Sequence, residues 1–181
     1  MVVWVNTPSG PISGAAVTDV QIRLVSDFFK GDIGGAKPSF VGEAVVVELP
    51  DGATGWVVNE LYDQGVEGGV PELSRAFKSM DKPLKLSPKY YPQLVTFGDL
   101  SDPVSVMRVD PADLAATFGA GYALGGITLE VTDDAVTEGV VEGVLGWVDD
   151  SYYRKNPVWA SLPNLAQQTI AGLKVPAGEN Q

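Results

Sequence analysis

The sequence predicts an α+β fold: antiparallel β-hairpins forming a twisted sheet or partly open barrel, with two or three short helices. Three observations carry this. Val20, Ile22 and Leu24 alternate with Gln21 and Arg23, the period-two pattern of a strand with one buried and one wet face. Glu43 to Leu49 and Thr54 to Asn59 flank Pro50-Asp51-Gly52, which reads as a hairpin turn. Asp110-Pro111, with Asp113 in the first turn and Gly119 at the end, supplies the start and stop of a short helix.

The remaining elements follow in chain order. Val2 to Asn6 reads as a strand ending in the Thr7-Pro8-Ser9-Gly10 turn, and Ile12 to Val25 holds one or two more strands. Gly31 to Ser39, with three glycines and a proline, reads as a loop. After a glycine-rich stretch, Glu72 to Met80 has helical spacing, with Leu73, Ala76, Phe77 and Met80 on one face. Pro83 to Pro92 should run extended along the surface. Leu94 to Phe97 and Val104 to Val109 read as strands joined by the Asp99 to Pro103 turn. The helix capped by Asp110 presents Leu114, Ala115 and Phe118, and Leu124 to Val131 is a strand with Ile127, Leu129 and Val131 on one side. Thr132 or Asp133 can cap a second helix carrying Val136, Val140, Val144 and Val148. Gly139, Gly143 and Gly146 weaken it by up to about 1 kcal/mol each, so it needs packing to survive. Leu165, Thr169 and Leu173 share a face of a final helix. We therefore expect a single α+β domain over 1–150 and a partly docked tail over 151–181, frayed at the end.

Composition removes whole classes of chemistry. The chain has 181 residues, enough for one domain with a substantial core. It has no Cys and no His, which excludes disulfides, thiolate nucleophiles, imidazole bases and His- or Cys-ligated metals. Its formal net charge of −11 argues against nucleic acid. No apolar run approaches the roughly 20 residues of a transmembrane helix. Met1-Val2-Val3-Trp4-Val5 is too short for a signal-peptide core, so an exported form is expected to have lost its signal already.

From Thr96 to Asp133 the turn signals follow a distinctive order. Phe97-Gly98-Asp99, Asp102-Pro103, Ser105-Val106, Val109-Asp110-Pro111, Asp113-Leu114 and Phe118-Gly119 precede Ile127-Thr128, Glu130-Val131-Thr132-Asp133 and Trp147. With Asn6-Thr7-Pro8, Ser13-Gly14 and Gly42-Glu43-Ala44-Val45 upstream, this series resembles a family of small, functionally uncharacterised proteobacterial proteins, over most of residues 3–150. Members resemble cell-envelope proteins, some with an export or lipoprotein signal. The resemblance implies a periplasmic or cell-envelope location, with the cytoplasm as the alternative, and it transfers no catalytic residue.

The acidic positions are the one candidate chemistry. Asp99, Asp102, Asp110, Asp113, Asp133 and Asp134 all sit at turns or helix starts, where they could converge on one end of a sheet. Such a cluster could bind calcium, and a close carboxylate pair could hydrolyse glycosidic bonds. The spacing fits no EF-hand loop, and turn and cap chemistry explains each Asp better. Gly119-Ala120-Gly121 follows a helix instead of opening one, so a helix stop explains it better than phosphate binding. Tyr90-Tyr91, Tyr152-Tyr153 and Trp159 could form a ligand shelf but are better read as packing. Arg75, Lys82, Lys85 and Lys89 make one mildly basic, solvated region. No catalytic, cofactor-binding or metal-binding residue is assigned. The sequence therefore points to a non-catalytic binding or structural module with a protein partner. The alternatives are a carboxylate-based glycan hydrolase and an acidic inhibitor that masks a basic enzyme.

Overall fold

A computed structural model describes residues 1–24, 36–50, 54–57, 81–148 and 161–175. The predicted α+β class holds: three antiparallel sheets and three helices make up these residues, and none of the sheets closes into a barrel. The first sheet has the order β2-β1-β10-β7, from Gly10–Ala15, Val2–Thr7, Ala123–Leu129 and Leu84–Lys85. The second has the order β11-β4-β3, from Lys174–Val175, Ala36–Glu43 and Asp19–Leu24. The third, which is central, has the order β5-β6-β8-β9, from Val45–Glu48, Thr54–Val57, Leu94–Phe97 and Val106–Val109. Helices α1, α2 and α3 span Ala115–Phe118, Val140–Val144 and Asn164–Leu173.

Period-two alternation turns the central sheet into the middle layer of three. Val45 and Val47 of β5 face one core, where they meet Val3 and Val5 of β1 and Ile127 and Leu129 of β10. Ala44 and Val46 face a second core, with Val95 and Phe97 of β8, Val141 of α2, Leu145 just after it, and Ala166 and Leu173 of α3. Every residue of β8 is buried, as a strand covered on both faces requires. The first sheet covers one side of it, and α2 and α3 cover the other.

β2 meets β5 at very close range. A Cβ on Gly14 would run into the backbone carbonyl of Val46, so only glycine fits there. At the opposite edge of the first sheet, β7 has just two residues, bracketed by Lys82, Pro83, Pro88 and Lys89. Short length, lysines and prolines are how an exposed sheet edge is kept from recruiting another strand. That accounts for Lys82, Lys85 and Lys89 of the basic region read from the sequence, while Arg75 lies outside the described residues.

Several expectations are corrected. Gly31 to Ser39 is not loop throughout, because β4 begins at Ala36 and pairs with β3 from Leu24↔Ala36 to Asp19↔Val41. The strand expected from Glu43 to Leu49 breaks at Ala44, whose N–H donates to the Leu173 carbonyl at 2.8 Å as the chain leaves one sheet for another. Pro83 to Pro92 is not simply a surface run, since Leu86 is buried in the first core and Pro88–Tyr90 forms a 3-10 turn. Val131 is 55% exposed, since β10 stops at Leu129. The first helix begins at Ala115, not Pro111. The second is only Val140–Val144, with Val141 buried inside it and Leu145 and Val148 buried beyond its end. It cannot start at Thr132 or Asp133 because Thr137 is tied to the other end of the chain. Its N–H donates to the Val17 carbonyl at 3.0 Å, and its Oγ1 accepts from the Val17 N–H at 2.8 Å. The expected turn at Asp51-Gly52, the helix over 72–80 and the aromatics at 152, 153 and 159 lie outside the described residues.

Gly14→Ala is expected to destabilise the fold by about 2–3 kcal/mol through overpacking against the Val46 backbone. Gly143→Ala, in open space within α2, should instead stabilise it by up to about 1 kcal/mol. Urea unfolding of the two variants checks both signs.

Candidate functional site

The acidic residues do not converge. Leu94↔Val109 and Phe97↔Val106 define the β8–β9 hairpin, so the 98–105 loop and residue 110 lie at its opposite ends. Four paired residues separate them by roughly 13 Å. Asp99 and Asp102 therefore belong to one end, and Asp110 and Asp113 to the other. Among the described residues, no group of three or more Asp or Glu side chains could hold a metal ion.

Each of these four carboxylates is occupied by backbone. Asp99 Oδ1 accepts from the Ser101 N–H at 2.8 Å and the Ser101 hydroxyl at 2.7 Å. Asp102 Oδ1 accepts from the Val104 N–H at 2.9 Å, capping the 3-10 turn Pro103–Ser105. Asp110 Oδ1 accepts from the Ala112 N–H at 2.8 Å, closing a turn before the helix, and Asp113 Oδ1 accepts from the Ala116 N–H at 3.1 Å. The cap thus falls on Asp113, three residues later than the sequence suggested, because the chain makes a turn before it makes a helix. Asp134 accepts from the Thr132 hydroxyl at 2.6 Å.

The Asp99–Ser105 loop is further sealed. Ser105 Oγ is 2.8 Å from the Asp99 carbonyl and 2.7 Å from that of Asp102, sharing its proton between them, and it accepts from the Asp99 N–H at 3.0 Å. Trp147 Nε1 donates to the Leu100 carbonyl at 2.7 Å, and its ring meets Phe97 edge-on, centroids 5.9 Å apart.

Gly119 and Gly121 serve as stop and turn. The Gly119 N–H donates to the Ala115 carbonyl at 2.9 Å, and its φ of +98°, a value that favours glycine, turns the chain out of the helix. Gly121 also has positive φ, and a Cβ there would approach Pro8 Cγ to 2.9 Å. Tyr91 packs on the first core, as read, whereas Tyr90 is 45% exposed with the Lys89 ammonium 4.5 Å from its ring centroid.

Two features escaped sequence reading. The first is Glu43, 1% exposed, whose carboxylate crosses the fold to the start of α2. Oε1 accepts from the Gly139 N–H at 2.6 Å, and Oε2 from the N–H groups of Val140 at 2.9 Å and Val141 at 3.1 Å. The second is Trp4, 46% exposed on the outer face of the first sheet. The sequence signal was present in both cases: a charge inside an apolar strand, and a tryptophan on the wet side of the Val3/Val5 alternation.

The Trp4 face is defined by register. Asn6, Trp4 and Val2 line up with Pro11, Ser13 and Ala15 on β2, and with Ala123, Gly126 and Thr128 on β10. A bulge between Trp4 and Val5 inserts Gly125, where a Cβ would lie 3.3 Å from the Trp4 Cβ. Lys85 pairs with Thr128, and its Cε lies 3.1 Å from where a Cβ of Gly126 would stand. The indole therefore rises from a floor of small side chains, next to an aliphatic lysine stem. The longest described helix has ten residues, and no described helix is long and apolar enough to cross a membrane.

Comparison of the chain with protein-family models, curated proteins and solved structures finds no match in any of the three.

Glu43→Gln is expected to cost about 2 kcal/mol or more, because a charged acceptor of three N–H groups is replaced by an amide that turns a donor toward one of them. Chemical denaturation reads that loss, and an unchanged midpoint would contradict it. The Ser101 hydroxyl, and then its N–H, hold the Asp99 carboxyl below its ordinary value of 3.8. The depressed carboxylate contributes stability above 3.8 that is lost as pH falls through its lower native value. Carboxyl NMR titration should place Asp99 below 3.8 and show it moving back up in Ser101→Ala.

Proposed function

We propose that this chain is a non-catalytic binding module that engages a protein partner through the outer face of its first sheet. The observation that carries the reading is Trp4. A tryptophan is the side chain most costly to leave in water and among those most enriched at binding hot spots. Here it stands 46% exposed between rows of small residues that leave it accessible. The non-catalytic part is supported by the use made of the carboxylates, since Asp99, Asp102, Asp110, Asp113 and Glu43 each accept from backbone N–H groups. The resemblance to envelope proteins supports a periplasmic or cell-envelope setting.

The test is affinity capture from source-cell lysate at low and high salt, with wild type beside Trp4→Ala. A protein retained at high salt and reduced at least about tenfold by Trp4→Ala is the expected result. Equal recovery by both forms would sink the reading. So would turnover of a glycan or ester by the purified protein that a single Asp→Asn change abolishes. A basic enzyme released by salt would point instead to an acidic inhibitor.

A further inference from the structure

We infer that a second copy of this chain pairs with the edge of β3, joining the β11-β4-β3 sheets of two molecules into one. This surface is separate from the Trp4 face. β3 ends its sheet and, among the described strands, pairs with β4 alone. The Ala44 N–H aims to the β11 side, where it donates to the Leu173 carbonyl. Alternation back along β4 turns the main-chain groups of Gly42, Phe40 and Pro38 to that same side, and those of Val41, Ser39 and Lys37 toward β3. Pro38, which has no N–H, fits the side turned away from β3. On β3 the bonds to β4 therefore fall to Asp19, Gln21 and Arg23, and the N–H and C=O groups of Val20, Ile22 and Leu24 point out of the sheet. This edge is six residues long and lacks the brevity, lysines and prolines that guard β7.

Register selects the occupant. Across an antiparallel joint only residues with outward groups exchange hydrogen bonds, so Val20, Ile22 and Leu24 must meet one another. Setting Val20 opposite Ile22 of the second copy puts a twofold axis at Gln21 and brings Asp19 opposite Arg23 on both sides of it. Those charges fall at non-hydrogen-bonded positions, where paired residues come closest. Other registers lose the match. Ile22 against Leu24 sets Arg23 on Arg23, and Val20 or Ile22 against itself sets Gln21 on Asp19 or Arg23. The formal −11 opposes self-association over the molecule at large, but the paired residues 19–24 and 36–41 carry one acid, Asp19, beside Arg23 and Lys37. Each copy has one β3 edge and the joint consumes it, so assembly closes at two.

Sedimentation velocity on the full chain, from about 1 µM to about 1 mM, tests the inference, with circular dichroism confirming that each variant is folded. The wild-type mass should rise from 19.1 kDa toward twice that value with concentration. Ile22→Pro removes an outward N–H and none that faces β4, so it should fold and stay at 19.1 kDa. Arg23→Asp sets acid against acid on both sides of the axis and should raise the midpoint concentration at least about tenfold. Adding Asp19→Arg restores opposite charges and should return the midpoint to that of wild type, a recovery that a merely structural role would not give. Trp4→Ala should pair as wild type does. A wild type that is monomeric at every concentration overturns the inference, as does a dimer that survives in folded Ile22→Pro or is lost in Trp4→Ala. Failure of the double exchange to recover what Arg23→Asp lost overturns it too, and that comparison decides alone if Ile22→Pro does not fold.

Discussion

The arrangement of this molecule depends on one buried carboxylate. Glu43 stands at the end of β4, where three segments distant in sequence arrive together. Its own backbone pairs with Lys174 of β11, the next residue begins the crossing into the central sheet, and its side chain holds the first N–H groups of α2. A charge taken out of water is tolerated only where hydrogen bonds replace those it gave up, and here backbone N–H groups do so. Helix α2 gains as much as it gives. At five residues, behind a left-handed Gly139 and with Gly143 inside, it has no capacity to nucleate alone. The carboxylate supplies the acceptors a short helix lacks, and the helix supplies the donors a buried carboxylate needs.

With that joint in place, the central sheet can be apolar on both sides. Val45 and Val47 face one core, and Ala44 and Val46 the other. The change of sheet at Ala44 feeds both. The loop from Asp99 to Ser105 then caps one end of the hairpin, where Trp147 fastens it to the segment following α2. Polar side chains near the cores therefore act mainly as connectors, and Asp99, Asp102, Asp110 and Asp113 likewise serve turns and a helix start. Trp4 on the outer face of the first sheet is different, because among the described residues its indole makes no hydrogen bond.

What the sequence made legible was local. The strand at β1, the alternation in β3, the β5–β6 and β8–β9 hairpins, and the Gly119 stop all rest on residues within a few positions of one another. The failures were non-local. Nothing near Thr132 signals that Thr137 will bond Val17, so a helix that propensity and capping residues allow is cut back to five residues. Nothing beside Glu43 signals donors 96 to 98 positions away. The acidic cluster failed for a topological reason, since residues close in sequence were assigned to opposite ends of a hairpin once its register was known. Trp4 was legible in principle, because the parity of Val3 and Val5 already turned it outward.

The position of β1 has a consequence for how the chain reaches this state. β1 is an interior strand, flanked by β2, which follows almost at once, and by β10, which lies more than a hundred residues downstream. Its second edge must stay unpaired until more than two thirds of the sequence is available, and loop closure over that span is slow compared with forming a hairpin. During synthesis the β1–β2 hairpin is thus a strand pair whose β1 edge still lacks its β10 partner, with Trp4 on its surface. In that interval the nascent chain is most exposed to pairing with the wrong strand, and a chaperone would have most to protect.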